Sequence, residues 1–178
     1  MIEFHREWAM PSADTFNIPP IGLFVKKYLH DAKVSIDPFA RNKKWCTYTN
    51  DLNPDTTADY HEEANVFMDE LKDRGVLADL IIFDPPYSTR QVSECYQKVG
   101  IKATQNDTSA ATWSNWKKSI KTILSPGGIV LSFGWNSTGM GFPFEILEIL
   151  LVCHGGCHND TICVADKYIN IQETMGDF

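Results

Sequence analysis

Residues 80–88 read Leu-Ile-Ile-Phe-Asp-Pro-Pro-Tyr-Ser. An apolar run with strand-like composition ends on an acid, and two prolines and an aromatic follow at once. That order places Asp84 at the carboxyl edge of a buried parallel strand, the edge at which open α/β sheets bind ligands. Pro85 and Pro86 fix two φ angles and remove two backbone donors, so the loop is stiff and presents carbonyl acceptors. Tyr87 adds a flat face beside a carboxylate and a carbonyl, with Ser88 next to it. Such a site suits a flat molecule with an exocyclic amino group.

The elements that must hold this loop in place follow from hydrophobic spacing. Ala78 to Phe83 is the strand that carries it. Lys33–Asp37 and Trp45–Asn50 are shorter strands, each ending on polar residues. Helical spacing covers Ile21 to Leu29 and residues 61–74. Residues 89–124 hold a short and a longer helix, the latter starting near Ser109 or Thr112 and ended by Ser125-Pro126-Gly127-Gly128. Ile129–Phe133, Leu147–Cys153 and Thr161–Ala165 are further strands, the last two joined by the polar loop His154–Asp160. Alternating strands and helices followed by a hairpin predict an α/β fold, a mostly parallel sheet with helices on both faces and a C-terminal antiparallel hairpin. The Pro-rich polar residues 1–20 read as an irregular N-terminal arm.

With 178 residues, 43% hydrophobic and 22% charged, the chain suits one domain with its own core, spanning 1–178. It has no run of eighteen apolar residues for a membrane span and no apolar stretch of the signal-peptide type at its start. Five cysteines without a regular framework fit reduced thiols and a cytoplasmic location. A net charge of −7 counts against strong nonspecific binding of a polyanion. Lys43-Lys44 and Lys117-Lys118 with Lys121 are the basic clusters, each of which also reads as a solvated face.

Asp84-Pro85-Pro86-Tyr87 resembles motif IV of the amino-methyltransferases, and in its Asp and Tyr form it looks most like the phage-type DNA adenine-N6 methyltransferases. The resemblance extends along most of the chain. Asp14-Thr15-Phe16-Asn17-Ile18-Pro19-Pro20-Ile21 resembles motif X, in which the arm covers the methionine end of the cofactor. Phe16 and Ile18 would give apolar cover there and Pro20 would stiffen the turn, although the same residues fit a hydrophobic staple and a Pro-started helix. Asp37-Pro38-Phe39-Ala40 resembles the start of motif I but continues Arg41-Asn42-Lys43, without the usual glycine pair. Asp37 equally suits a turn or helix N-cap. Thr49-Asn50-Asp51-Leu52-Asn53-Pro54 resembles motif II, with Asp51 first and Asn50 second as acceptors for the ribose hydroxyls; an Asx-turn before Pro54 fits as well.

The resemblance implies a Rossmann-like class I methyltransferase with S-adenosyl-L-methionine as cofactor, acting on the N6 amino group of an adenine flipped out of DNA. Asp84 and the Pro85 carbonyl would accept the two amino N–H bonds, Pro86 would stiffen the loop, and Tyr87 and Ser88 would contact the base. Glu63 would accept from the cofactor's adenine amino group, or simply start a helix. Trp135, in the glycine-rich and therefore mobile loop 134–141, would line the base pocket or pack. An RNA adenine or cytosine-N4 substrate, and a binding module without turnover, remain the alternatives.

Cys153-His154-Gly155-Gly156-Cys157-His158 looks like a metal site, but its spacing is not that of a finger or knuckle, and Gly155-Gly156 reads as a hairpin turn. No metal is expected. The intervals from Asp51 to Asp84 and from Gly100 to Trp113 are too short for a separate target-recognition domain. Either these loops read the DNA, or a second copy in a homodimer or a partner subunit does.

Overall fold

A computed structural model describes residues 1–86, 88–98, 100 and 110–169. Its elements run β1 (Glu3–Trp8), a 3₁₀ turn (Thr15–Asn17), α1 (Pro19–Leu29), β2 (Ser35–Asp37), β3 (Tyr48–Thr49), α2 (Ala64–Asp73), β4 (Ala78–Phe83), α3 (Thr89–Lys98), α4 (Ala110–Ile123), β5 (Leu124–Gly134), β6 (Phe144–Cys153) and β7 (Thr161–Tyr168). The strands form one sheet in the order β1-β6-β7-β5-β4-β2-β3. Strand β7 is antiparallel to β5 and β6, and every other pairing of named strands is parallel. This is the α/β architecture expected, with the β6–β7 hairpin at its end.

Two apolar layers enclose the sheet. Ile21, Phe24 and Val25 of α1 pack with Leu80, Ile82 and Leu131 on one face. Phe67, Met68 and Leu71 of α2 and Ile120 of α4 pack with Ile81 and Val130 on the other. The alternation of β4 residues between the layers is the period of a strand buried on both sides. Helix α1 starts on Pro19 and Pro20, whose missing N–H groups remove two of the donors that a first turn otherwise leaves unpaired. Gly22 lets the 3₁₀ turn approach: a Cβ there would lie 2.8 Å from the Phe16 carbonyl oxygen.

The chain order reverses between β2 and β4, because β3 extends the sheet on one side and β5 on the other. Ile36 pairs with Ile81 across that boundary. Asp37 and Asp84 therefore end neighbouring parallel strands at the switch point, where the connections diverge and leave a crevice.

Four expectations are corrected. Residues 1–20 are not wholly irregular: Glu3–Trp8 adds a parallel edge strand to β6, with Glu3 opposite Glu148 and Trp8 opposite Cys153. All six of its residues are exposed, so its alternation carries no inside–outside contrast. Strand β3 is confined to Tyr48–Thr49, and Trp45 packs on Phe16 instead. Ser125–Gly128 lies within β5 as a bulge, where the register passes from Ala78↔Leu124 to Leu80↔Ile129 and Gly127 takes φ +76°.

The fourth correction concerns the loop expected to be mobile. After β5 the chain returns to the start of β6, and this return is pinned in its second half. Lys117 Nζ donates to Gly139 O, Asp166 Oδ2 accepts from Met140 N at 3.0 Å, and Lys121 Nζ donates to Phe142 O at 3.0 Å. Two of the three lysines of that basic cluster thus hold the chain's own backbone. The other cluster is engaged too, with Lys43 bound to Asn17 and Asp14 and Lys44 paired with Asp59.

Candidate active site

A cleft of about 740 Å³ opens at the carboxyl edge of the sheet, over the switch point. Asp84, Pro85 and Pro86 form part of its wall, so the loop singled out first in the sequence faces this cleft. Pro85 is buried and Pro86 half-buried, as two rings packed at a strand end should be. Tyr87 lies outside the described residues. Ser88 caps α3 instead of lining the cleft: its Oγ accepts from Gln91 N at 3.2 Å.

Asp37 lies buried beneath the cleft. Its Oδ1 accepts from Phe39 N at 3.0 Å, an Asx-type turn that sends the chain sideways after β2. Burial pushes this carboxyl well above its ordinary range; the Phe39 amide pulls it back in part, and the charges of Asp84 and Asp51 raise it further. Phe39 lines the cleft, edge-on to Phe83 at 6.0 Å and to Trp116 at 5.0 Å. Arg41, in the stretch after Phe39 that carries no glycines, takes a φ of +51°. Asp51 supports it, with Oδ2 accepting from Arg41 N at 3.1 Å and Oδ1 from Asn53 N at 2.9 Å.

Asp51 and Asn50 line the cleft, yet both side chains are occupied by backbone. Asn50 is buried; its Nδ2 donates to Pro38 O at 3.1 Å and Glu62 O at 3.0 Å, and its Oδ1 accepts from Glu62 N at 3.0 Å. Glu63 is the N-cap of α2, Oε2 accepting from Asn65 N at 2.8 Å, while Oε1 accepts from the Trp116 indole at 3.0 Å. The residue that sequence reasoning passed over is Glu62. It lines the cleft, and its Oε2 is buried with no hydrogen-bond partner among the described residues. Its signal in the sequence was one acid in an acidic pair; only the Asn50 clamp distinguishes it from Glu63.

On the other wall, Ile18 and the stretch Pro11–Ala13 line the cleft. Phe16 is drawn into the core between Trp45 and Phe133, and Pro20 belongs to the first turn of α1. Trp135 is 55% exposed and does not reach the cleft. His154, His158, Asn159 and Thr161 of the hairpin do reach it, a contribution the sequence reading left unassigned. His154 is not set up as a metal ligand: Nδ1 donates to Ala9 O at 2.9 Å, and Nε2 lies 2.9 Å from Thr161 Oγ1.

Arg41 is the one Lys or Arg among the described residues of the cleft, against the carboxylates of Asp51, Glu62, Glu63, Asp84 and Glu94. Such a cavity favours a cationic ligand with hydroxyl and amino donors.

No protein-family model and no curated protein matches the chain. Solved structures do. The N-methyltransferase NodS from Bradyrhizobium japonicum WM9 superposes with a TM-score of 0.56 at 8% identity, covering 90% of this chain and 100% of that one. A complex of the same protein with S-adenosyl-L-homocysteine gives 0.57 at 8% identity over 84% and 85%. SMU.776, a putative methyltransferase complexed with SAH, gives 0.55 at 13% identity over 81% of this chain and 48% of that one, so the chain spans about half its length. At such identities the likeness is one of fold, and the fold is the Rossmann-like fold of S-adenosylmethionine-dependent methyltransferases.

Proposed function

We propose that this chain is an S-adenosylmethionine-dependent methyltransferase that acts on the exocyclic N6 amino group of adenine in DNA. The carrying observation is the position of Asp84-Pro85-Pro86: at the switch point of a methyltransferase fold, on the wall of the cleft that opens there. The donor set fits the cofactor. A ribose diol needs an acceptor, and Glu62 offers a buried oxygen with no donor among the described residues; a sulfonium cation is favoured by surrounding carboxylates. Glu62, Phe39, Ile18 and the buried Asp37 are the residues that would hold it. When bound, S-adenosylmethionine supplies an already activated methyl group.

The chain's own contribution is positioning. The adenine amino lone pair is delocalised into the ring. Accepting its two N–H bonds on Asp84 and on the Pro85 carbonyl favours a tetrahedral nitrogen and directs the lone pair into the cleft. Pro85 and Pro86 keep those acceptors from rotating. Asp84 stabilises the positive charge that develops on nitrogen and stands ready to take the released proton. A base in a duplex does not reach such a site, so the target is extruded or single-stranded. Stacking on Tyr87 would supply roughly 1–3 kcal/mol towards that extrusion. Because Lys43, Lys44, Lys117 and Lys121 are all engaged within the chain, grip on the phosphate backbone is proposed to come from a second copy or a partner subunit.

The test is incubation with labelled S-adenosylmethionine and unmethylated DNA, followed by nucleoside mass spectrometry. N6-methyladenine is the expected product, and Asp84→Ala should remove it while leaving S-adenosylhomocysteine binding intact. N4-methylcytosine would overturn the choice of base. Cofactor binding without product on DNA or RNA would overturn the nucleic-acid substrate.

A further inference from the structure

The junction between the N-terminal strand and the hairpin is built around one buried side chain. His154 is 5% exposed and bonds three groups, one in the N-terminal segment and two in the hairpin. Its Nδ1 lies 2.9 Å from Ala9 O. A carbonyl only accepts, so Nδ1 carries the hydrogen, and Nε2 of the neutral ring accepts from the Thr161 hydroxyl at 2.9 Å. The His154 amide donates to Asp160 Oδ1 at 3.0 Å, which closes the hairpin loop, and Ala9 N donates to Cys153 O at 3.1 Å. Two segments leave this junction for the cleft: Pro11–Ala13, two residues beyond Ala9, and His158–Asn159, which the Asp160 and Thr161 bonds hold.

We propose that His154 is the positioning residue of the cleft's outer wall, fixing the N-terminal segment and the hairpin loop to each other so that both close on the bound cofactor. The proposal deepens the methyltransferase reading and rests on it for the identity of the ligand. Any buried histidine needs its ring nitrogens satisfied; what sets this one apart is that it donates to one wall segment of the cleft and accepts from the other. Ordering two wall segments before the ligand arrives removes that ordering cost from binding.

Three variants of the full chain separate the two bonds. His154→Asn keeps a donor near the Nδ1 position and loses Thr161. His154→Gln keeps a group near Nε2 and loses Ala9. Thr161→Val removes only the hydroxyl and serves if the histidine variants fold poorly. The readouts are amide hydrogen exchange by segment and the Kd for S-adenosylhomocysteine. His154→Asn and Thr161→Val are expected to speed exchange at His158 and Asn159 with Met10–Ala13 unchanged, and His154→Gln the reverse. Each should raise Kd on the order of fivefold to tenfold, the worth of one lost hydrogen bond. Exchange that rises evenly through β4 and β5 would make His154 a general stability residue and overturn the proposal. Loosened wall segments with an unchanged Kd would overturn it as well. A wild-type chain that does not bind S-adenosylhomocysteine would sink the cofactor reading, while the exchange pattern would still decide the latch.

Discussion

Asn50 clamps the Glu62 backbone from both ends of the residue, its Nδ2 donating to the Glu62 carbonyl and its Oδ1 accepting from the Glu62 amide, each at 3.0 Å. The third bond, to Pro38 O at 3.1 Å, ties the same side chain to the turn after β2. One amide thus sets the distance between the two loops that flank the cleft. Asn50→Ala would leave three backbone groups without their partner at about 1 kcal/mol or more each, so a loss of about 3 kcal/mol is expected. Urea unfolding measures it. Unchanged stability with lost ligand binding would instead make Asn50 a ligand contact.

Glu62→Ala should behave in the opposite way. Its buried Oε2 has no partner among the described residues, a liability in the ligand-free chain, so removal should leave stability unchanged or slightly higher. Affinity for a nucleoside ligand should fall about tenfold, the worth of a hydrogen bond to a charged group. Calorimetry with S-adenosylhomocysteine and with adenosine reads this out, and a variant that binds as the wild type does would remove Glu62 from the site.

Asp37 provides a proton count. Its carboxyl is held well above the ordinary range by burial, with Asp84 and Asp51 adding to the rise. A group raised in this way keeps its proton to higher pH than an ordinary aspartate does. A cation placed above it favours the ionised form. Binding of S-adenosylmethionine should therefore release protons, and affinity should increase as pH rises through the range in which Asp37 titrates. S-adenosylhomocysteine, lacking the sulfonium charge, should release fewer. Calorimetry in two buffers of different ionisation enthalpy counts them, and Asp37→Asn should abolish the difference between the ligands.

Legibility in the sequence tracked burial contrast. Strand β4 was readable to the residue, Ala78–Phe83, because it is apolar on both faces and ends on Asp-Pro-Pro. The hairpin loop from His154 to Asp160 was readable because Gly155 and Gly156 supply φ of +70° and +62°. Strand β1 was not, since an edge strand exposed on every residue shows no pattern against solvent. The acids of the site were legible as a set but not by role. Asp51, read as a ribose acceptor, also supports the turn: its oxygens accept one bond each, from Arg41 N and Asn53 N, and each keeps a second lone pair. Glu62 became distinct only through Asn50, twelve residues earlier in the chain. The Ser-Pro-Gly-Gly stop does follow the end of α4 at Ile123, but the same residues also form a bulge of β5, because a partner strand lies beside them.

The last prediction concerns Asp166, fully buried on β7 beneath the return from β5 to β6. Burial pushes its carboxyl up to about 6, although the Met140 amide and the Lys117 ammonium both pull it down. Its Oδ1 has no partner among the described residues. An aspartate in an unfolded chain titrates near 3.9, so between about 4 and 6 the folded state binds the proton more tightly than the unfolded state. The contribution of Asp166 to stability therefore falls as pH rises through that window and stays low above it. Asp166→Asn keeps an oxygen for the Met140 amide and removes the charge. Relative to wild type it should gain about 1–2 kcal/mol between pH 4 and pH 7, with no further change up to pH 8. Urea midpoints of both proteins across that range test it. A difference independent of pH would mean that Asp166 titrates normally and that the Lys117 ammonium fully compensates its burial.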